Sequence, residues 1–553
     1  MPAPIRIASA EGPTISPLRS RRDRIAGMRR SILLSLALTF ITVSLSAQSP
    51  GVDQATIARI RGEAMTQSQA MDTHWWLSEG FGPRATGTPG YTAAAEWAMK
   101  KFNEWGLKNV HIERFPFGQG WTIDRFSVHL LTPSSAALIG QPRWYSPSTK
   151  GTVSADVVHV KATTEAELAK FKGQLTGKIV ILQAARPVRM LEDRVVLKMN
   201  DGDWAEAMKL PEPRPVAAPA PAPAGPTPQQ FAQIVQRFLV TEGAAVVLDR
   251  GGDGDLSAGG SDLSWQTQRV DGGTIFPGNG GSRDPKAPQQ VPSATLAVEH
   301  YNRLVRLLEH GQPVRMEVNI QTTFHPETNP EGNAFNIVAE IPGTDLANEV
   351  VIMGAHFDTY PYATGSTDNT TGSAAMIEAV RVIQKLGLKP RRTIRLCLWA
   401  AEEQGLLGSR AYVERHYFDS KTKTPKPEQQ NVQAYFNLDN GTGRILGIWG
   451  QGNTGAMKNF EQWGQALKDL GWKNVSPRSV TQTDHGSFEE AGMPGFQFIQ
   501  ERLEYNSRTH HSNMDTFDHV QKDDVVQQGA VAAVFAWYAA NINEKLPRKP
   551  LSK

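Results

Sequence analysis

The sequence predicts an α/β fold, a mostly parallel mixed sheet flanked by helices, with a second, β-rich domain inserted into it. Three observations carry that prediction. Val350 to Ala355 is an apolar run that breaks into His356 and Asp358, and Thr393 to Ala400 is another that breaks into Glu402 and Glu403. Residues 373–386 between them read as a helix, which makes the unit strand, loop, helix, strand. That is the content of a parallel βαβ element, whose inner strands are continuously apolar because both faces are covered. The third observation is length: 553 residues suit two or three domains, and residues 150–325 lack the acid- and imidazole-rich strand ends of the later part.

In chain order, the first segment is basic. Residues 1–47 hold seven arginines and two acids, so the formal charge of +3 leaves about −2 for the remainder. Nothing in that balance calls for nucleic acid. From Met28, a candidate start, MRRSILLSLALTFITVSLSA has a charged head, an apolar run over 32–43 and small residues up to Ala47. This is the pattern of a secretory signal, so the mature protein is expected in the periplasm or outside the cell. A retained anchor is the alternative; the apolar run is short for a span, and no stable membrane insertion is expected after cleavage. No cysteine follows the run to take a lipid. The single cysteine, Cys397, falls inside a predicted buried strand, which rules out an intrachain disulfide and favours an inert packed thiol.

Residues 52–78 read as helical and lead into a Gly/Pro loop, GFGPRATGTPGY, over 80–91. Residues 92–106 form an amphipathic helix with Ala95, Met99, Phe102 and Trp105 on one face and Gly106 as its stop. Trp75, Trp76, Trp97 and Trp105 are read as packing residues. Residues 110–131 alternate as short strands, and composition changes near Pro142. The next stretch contains GKIVIL (177–182), a helix from Pro228 running into AAVVLDR (244–250), and a strand and helix over 291–314. PEPRPVAAPAPAPAGPTP (211–228) is an extended surface excursion. Asp253 and Asp255 lack the terminal glutamate a calcium loop needs. The expected organisation is an extension and leader over 1–47, a catalytic domain in two parts, 50–140 and 326–545, and an insert over 141–325.

Five elements in order can complete a metal site: His356 with Asp358, Asp368, the Glu402–Glu403 pair, Asp439 and His511. Ligands in open α/β sheets collect at the carboxyl ends of strands. Neutral imidazoles and ionised carboxylates suit zinc or similar divalent ions, and a carboxylate can bridge two of them. Asp358, two residues after His356, is placed to orient the imidazole. Adjacent glutamates suit a division of labour in which one ligates and the other moves a proton. Taken singly each element has an ordinary explanation, such as a negative helix start or a capped turn. It is the combination that points to a metal.

The order of these elements, with the run GLKPRRTIRLCLWAAEEQG, the segment LDNGTG, the tail HHSNMDT and the loop GPRATGTP, resembles the M28 zinc metallopeptidases. The branch most similar is that of plasma glutamate carboxypeptidase and secreted bacterial aminopeptidases. The likeness covers nearly all of 60–545, and the Ala/Pro excursion departs from it. It implies a zinc-exopeptidase, phosphorylase/hydrolase-like sheet, with GKIVIL and EGAAVVLD pointing to a protease-associated-like insert. Carried over by position, His356 and Asp439 hold one zinc, Glu403 and His511 the other, and Asp368 bridges. His511 is preferred to His510 because the motif's ligand immediately precedes its Ser. Glu402 is the general base toward a metal-bridging water, Asp358 supports His356, and Asp515 supports the closing loop. Cobalt and manganese can share such ligands.

Asp484, His485, Tyr505 and Arg508 are candidate substrate contacts, with surface turns and a salt-bridged loop arginine as the plain alternatives; Asn506 lies beside them. The expected substrates are dipeptides or short peptides cut from a free N-terminus, since no basic cluster demands an acidic substrate. A carboxypeptidase, glutaminyl-cyclase-like chemistry and a non-catalytic binding protein are the other readings. The complete ligand set argues against the last two. A homodimer stays open.

Overall fold

Four buried strands lie side by side and parallel at the middle of the larger sheet of the computed structural model: Arg392–Trp399, Leu346–His356, Val432–Asn437 and Gly495–Gln500. The structure describes residues 53–188, 196, 198–210, 225–251 and 271–549. The leader, most of the Ala/Pro excursion, and Asp253 with Asp255 lie outside the described residues. Beyond the parallel strands the sheet is mixed. Ala334–Ile341 and Lys108–Phe115 continue it antiparallel on one side. On the other side Ile445–Trp449 runs antiparallel to its neighbour, with Asn474–Ser476 at the edge.

Successive side chains along a strand point to opposite faces, and both faces here are covered. Val351, Met353 and Ala355 pack beneath helices Thr371–Lys385 and Lys522–Asn541. Val350 and Ile352 face Tyr412, Val413 and Phe488, from helices Leu407–His416 and His485–Glu490. The two long helices approach closely at Gly529, where a Cβ would meet the Glu378 side chain at 2.9 Å. Cys397 is buried in its strand and burial pushes its thiol pKa up, which leaves it inert.

The expected βαβ unit is present, with Val350 to His356 in parallel register with Thr393 to Trp399. The helix expected over 92–106 is Pro89–Glu104, because Thr88 caps it and Pro89 is tolerated in the first turn. The stretch read as helical over 52–78 is helical in three pieces, Gln54–Thr66, Ala70–Trp75 and a π-helical turn, Trp76–Gly80. Trp97 and Trp105 pack on the core. Trp76 stacks on Trp97 at 6.0 Å and packs against Phe81, whereas Trp75, 44% exposed, meets only Trp76, edge to face, among the ring contacts of the described residues.

A second eight-stranded sheet draws its strands from residues 120–325. Its first long strand, Gly120–Thr132, pairs with Arg315–His325. Its middle is again parallel: Val153–His159, Ile179–Ile181, Val246–Asp249 and Ser293–Leu296. Ile179 and Ile181 pack toward Tyr301, Leu304 and Val305, whereas Val180 packs toward Val235 and Leu239. No helix among the described residues is long and apolar enough to cross a membrane.

Candidate metal centre

Because the middle strands of the larger sheet share a direction, their carboxyl ends meet at one edge. Leu346–His356 ends in the first ligand candidate. Arg392–Trp399 runs on into the turn holding Glu402 and Glu403, and Val432–Asn437 is followed by Asp439. Asp368 starts the crossover between the first two, just before helix Thr371–Lys385. His511 arrives on a loop before helix Lys522–Asn541, with a left-handed backbone (φ +59°).

The side chains converge. His356 Nε2 lies 3.2 Å from Asp368 Oδ1 and 3.3 Å from Asp439 Oδ1. His511 Nε2 lies 3.4 Å from Asp368 Oδ2 and 3.2 Å from Glu403 Oε2. Asp368 therefore turns one oxygen to each group. His510 stands further off, its Nε2 3.8 Å from Asp368 Oδ2, and its ring stacks on that of His511.

Supporting contacts are as specific. His356 Nδ1 is 2.9 Å from the main-chain carbonyl of Asp358, which leaves Nε2 to the carboxylates. The Asp358 carboxylate is 3.6 Å from Nδ1 and accepts the Glu402 N–H at 3.2 Å, so it ties the two strand ends together. Asp515 accepts from the N–H of Thr367 at 2.5 Å and of Asp368 at 3.1 Å. Arg84, fully buried, donates to Phe357 O at 3.0 Å, to Thr370 Oγ1 at 2.7 Å and to Leu77 O. Thr86 Oγ1 accepts from Ala401 N at 2.8 Å, just before the glutamates. The GPRATGTP loop thus braces both strand ends.

Charge is unbalanced here. Burial pushes the pKa of Glu402 well above the carboxylate range, and Asp439, Glu403 and Asp484 add to this against the pull of His356. Glu403 is raised too, by burial and then by Asp368. Burial works against charge on His356, but Asp439, Asp358 and Asp368 outweigh it and raise its pKa. Burial would also raise Asp368, yet His356, His510 and His511 hold it well below the usual range. Asp368 Oδ2 and Glu403 Oε1 are buried without a hydrogen-bond partner. Clustered, buried carboxylates of this kind call for a cation.

A pocket over this cluster is lined by Asp368, Glu402, Asp439, Tyr505 and His511, with Asn440, Thr481, Gln482, Thr483 and Gln497 around them. Of the expected substrate contacts, Tyr505 lines it, its ring tilted against that of His510 at 4.7 Å. Asp484 and His485 are fully buried beneath the loop whose residues 480–483 face the pocket. Asp484 is pushed up to about 7, by burial first, with Asp439 and Asp358 adding to it. Arg508 pairs with Glu504 at 3.6 Å and is absent from the lining. Sequence reasoning did not single out Tyr360, whose ring lies 4.2 Å from that of His511; its only signal is the aromatic pair in YPY after the HxD pattern.

Residues 336–536 match the profile of Peptidase family M28. Human carboxypeptidase Q is 30% identical over 259 residues, 47% of this chain and 52% of that protein. Aminopeptidase YwaD of Bacillus subtilis is 27% identical over 212 residues, 36% of this chain and 43% of that protein. The chain spans about half the length of the curated relatives it matches. Among solved structures, a Peptidase M28 precursor from Shewanella amazonensis aligns with a TM-score of 0.62 at 24% identity, over 90% of this chain and 99% of that one. The two share a fold.

Proposed function

We propose, from the match of residues 336–536 to Peptidase family M28, that the chain is a secreted or periplasmic dinuclear zinc exopeptidase that cuts dipeptides or short peptides from a free N-terminus. The observation that carries the metal reading is spacing. Tetrahedral bonds of about 2.0–2.1 Å put ligand atoms roughly 3.4 Å apart. The separations from His356 Nε2 to Asp368 and Asp439 and from His511 Nε2 to Asp368 and Glu403 are 3.2, 3.3, 3.4 and 3.2 Å. His356 and Asp439 would hold one ion, Glu403 and His511 the other, and Asp368 both. The leader over 28–47 supports export. Membership of the two sheets supports an insert and starts its strands at Gly120–Thr132.

Zinc, when bound, supplies Lewis-acid polarisation of a scissile carbonyl and a more acidic water. Glu402, facing the pocket, takes a proton from the attacking water on a carboxylate oxygen and passes it to the leaving amine. Asp358 fixes the His356 tautomer through its carbonyl and the Glu402 main chain through its carboxylate.

The pocket lining contains no lysine or arginine, whereas Asp439, Asn440, Gln482 and Gln497 offer oxygens. Such a surface suits an ammonium better than a terminal carboxylate, which supports aminopeptidase or dipeptidase action over carboxypeptidase action. The test is hydrolysis of a dipeptide panel, free and N-acetylated, by residues 48–553 and by Glu402→Gln. Cleavage of free-amine substrates alone, lost in the variant, is expected. Equal cleavage of acetylated peptides contradicts the amine-end assignment, and full activity in Glu402→Gln contradicts the base assignment.

A further inference from the structure

The loop that brings His511 to the cluster is held from the second sheet. Asn513 makes three hydrogen bonds to the segment joining strands Val246–Asp249 and Ser293–Leu296. Its side-chain oxygen accepts from Ile275 N at 2.7 Å, its side-chain nitrogen donates to Gly273 O at 3.1 Å, and its main-chain N–H donates to Ile275 O at 3.2 Å. An asparagine amide offers both a donor and an acceptor, and here both are used on one partner segment. Ile275 itself is buried.

Two residues before Asn513 stands His511, in the left-handed region that a non-glycine residue holds only when its surroundings demand it. Two residues after it stands Asp515, which receives the main-chain N–H groups of Thr367 and Asp368. Five residues therefore connect one metal-ligand candidate, an anchor in the second sheet, and the support of the shared carboxylate. An aromatic route runs beside the polar one. Gly280 N donates to Trp144 O at 2.7 Å, the Trp144 ring lies 4.6 Å from that of Tyr360, and Tyr360 lies 4.2 Å from His511.

We propose that Asn513 is a positioning residue through which the second sheet holds the His511–Asp515 loop, and with it the metal position formed by His511 and Glu403, in ligating geometry. This rests on the two-metal reading above. On this account the inserted region is part of the metal site's scaffold. The position formed by His356 and Asp439 hangs on the larger sheet's own strand ends and depends on Asn513 much less.

The test uses residues 48–553 carrying Asn513→Ala, with Gly273→Ala as the variant on the other side of the contact. Gly273 has φ +79°, and a Cβ there would meet Ile139 at 3.1 Å, so the alanine strains the partner segment without touching the loop. Zinc affinity is read by chelator competition, and the visible absorption of the cobalt(II) form reports the ligand field. Loss of an outer hydrogen bond to a metal site typically weakens binding about 10–100-fold. That loss is expected for one of two ions in both variants, with the other ion, which reaches Asn513 only through Asp515 and the shared Asp368, weakened less and one component of the cobalt spectrum altered. General loosening of the fold would weaken both ions together, and that outcome overturns the proposal. Two ions bound with wild-type affinity in both variants overturns it as well, leaving the metal reading intact. Fewer than two ions in the unsubstituted chain overturns the metal reading and this inference with it. If Asn513→Ala does not fold, Gly273→Ala carries the same comparison.

Discussion

Two eight-stranded sheets of similar plan differ in what stands at the ends of their parallel strands. In the second sheet acid and base are paired there. Asp249 pairs with Arg143 at 3.1 Å, accepts from Thr295 Oγ1 at 2.6 Å and takes the N–H of Gly251 at 3.1 Å. Gln183 accepts from Arg250 N, and its own backbone exchanges hydrogen bonds with the Tyr301 hydroxyl. In the larger sheet, Asp368, Glu402, Glu403 and Asp439 gather with two histidines and no arginine or lysine in the lining. A parallel sheet supplies a place where strand ends meet; an unbalanced charge makes that place chemical.

The sharpest way to break the contrast is to remove the group that uses the charge. Glu402→Gln should lower kcat about 10²–10⁴-fold, the usual range for a general base, with zinc content unchanged by metal analysis. Next comes Arg84→Met, which leaves the buried carbonyls of Phe357 and Leu77 without their donor. A cost of roughly 1–3 kcal/mol per unpaired buried group is expected in denaturant unfolding, together with weaker metal binding.

Asp484→Asn sharpens the comparison through pH. With its pKa raised to about 7, the folded chain keeps a proton that the unfolded chain has already released. Stability contributed by that proton is present below the ordinary aspartate range and is lost as pH rises from about 4 to about 7. In metal-free protein, melting temperature should therefore fall over that window, and by less in Asp484→Asn. The smallest effect is expected in the second sheet. Asp249→Asn should cost about 1 kcal/mol of stability and leave kcat/KM within about twofold.

His356, the Glu402–Glu403 pair and Asp439 were legible because each follows an apolar run with a break in character, and a break of that kind is local. Asp368 and His511, which sit in polar loops, were legible only through the order of the whole set. What was not legible is made by residues far apart in the chain. Tyr360 meets His511, Asn513 meets Ile275, and Thr86 meets Ala401 only through the tertiary fold. Orientation is equally silent: residues 480–483 and Asp484 share one loop, yet the former face the pocket and the latter is buried. Asp358 is expected to orient His356, and the atom that accepts from Nδ1 at 2.9 Å is its main-chain carbonyl, with its carboxylate 3.6 Å away. Residue type does not reveal which atom of a neighbour is used. Trp75 shows the same limit, since an apolar side chain near a core helix can still lie at the surface.

The most direct test is a count of zinc ions in residues 48–553 beside Asp368→Asn, by elemental analysis after removal of loosely bound metal. Because Asp368 alone turns an oxygen to each group, two ions per chain are expected in the unsubstituted protein, with both weakened in the variant. One ion or none in the unsubstituted chain, or two held equally well by Asp368→Asn, would contradict the account.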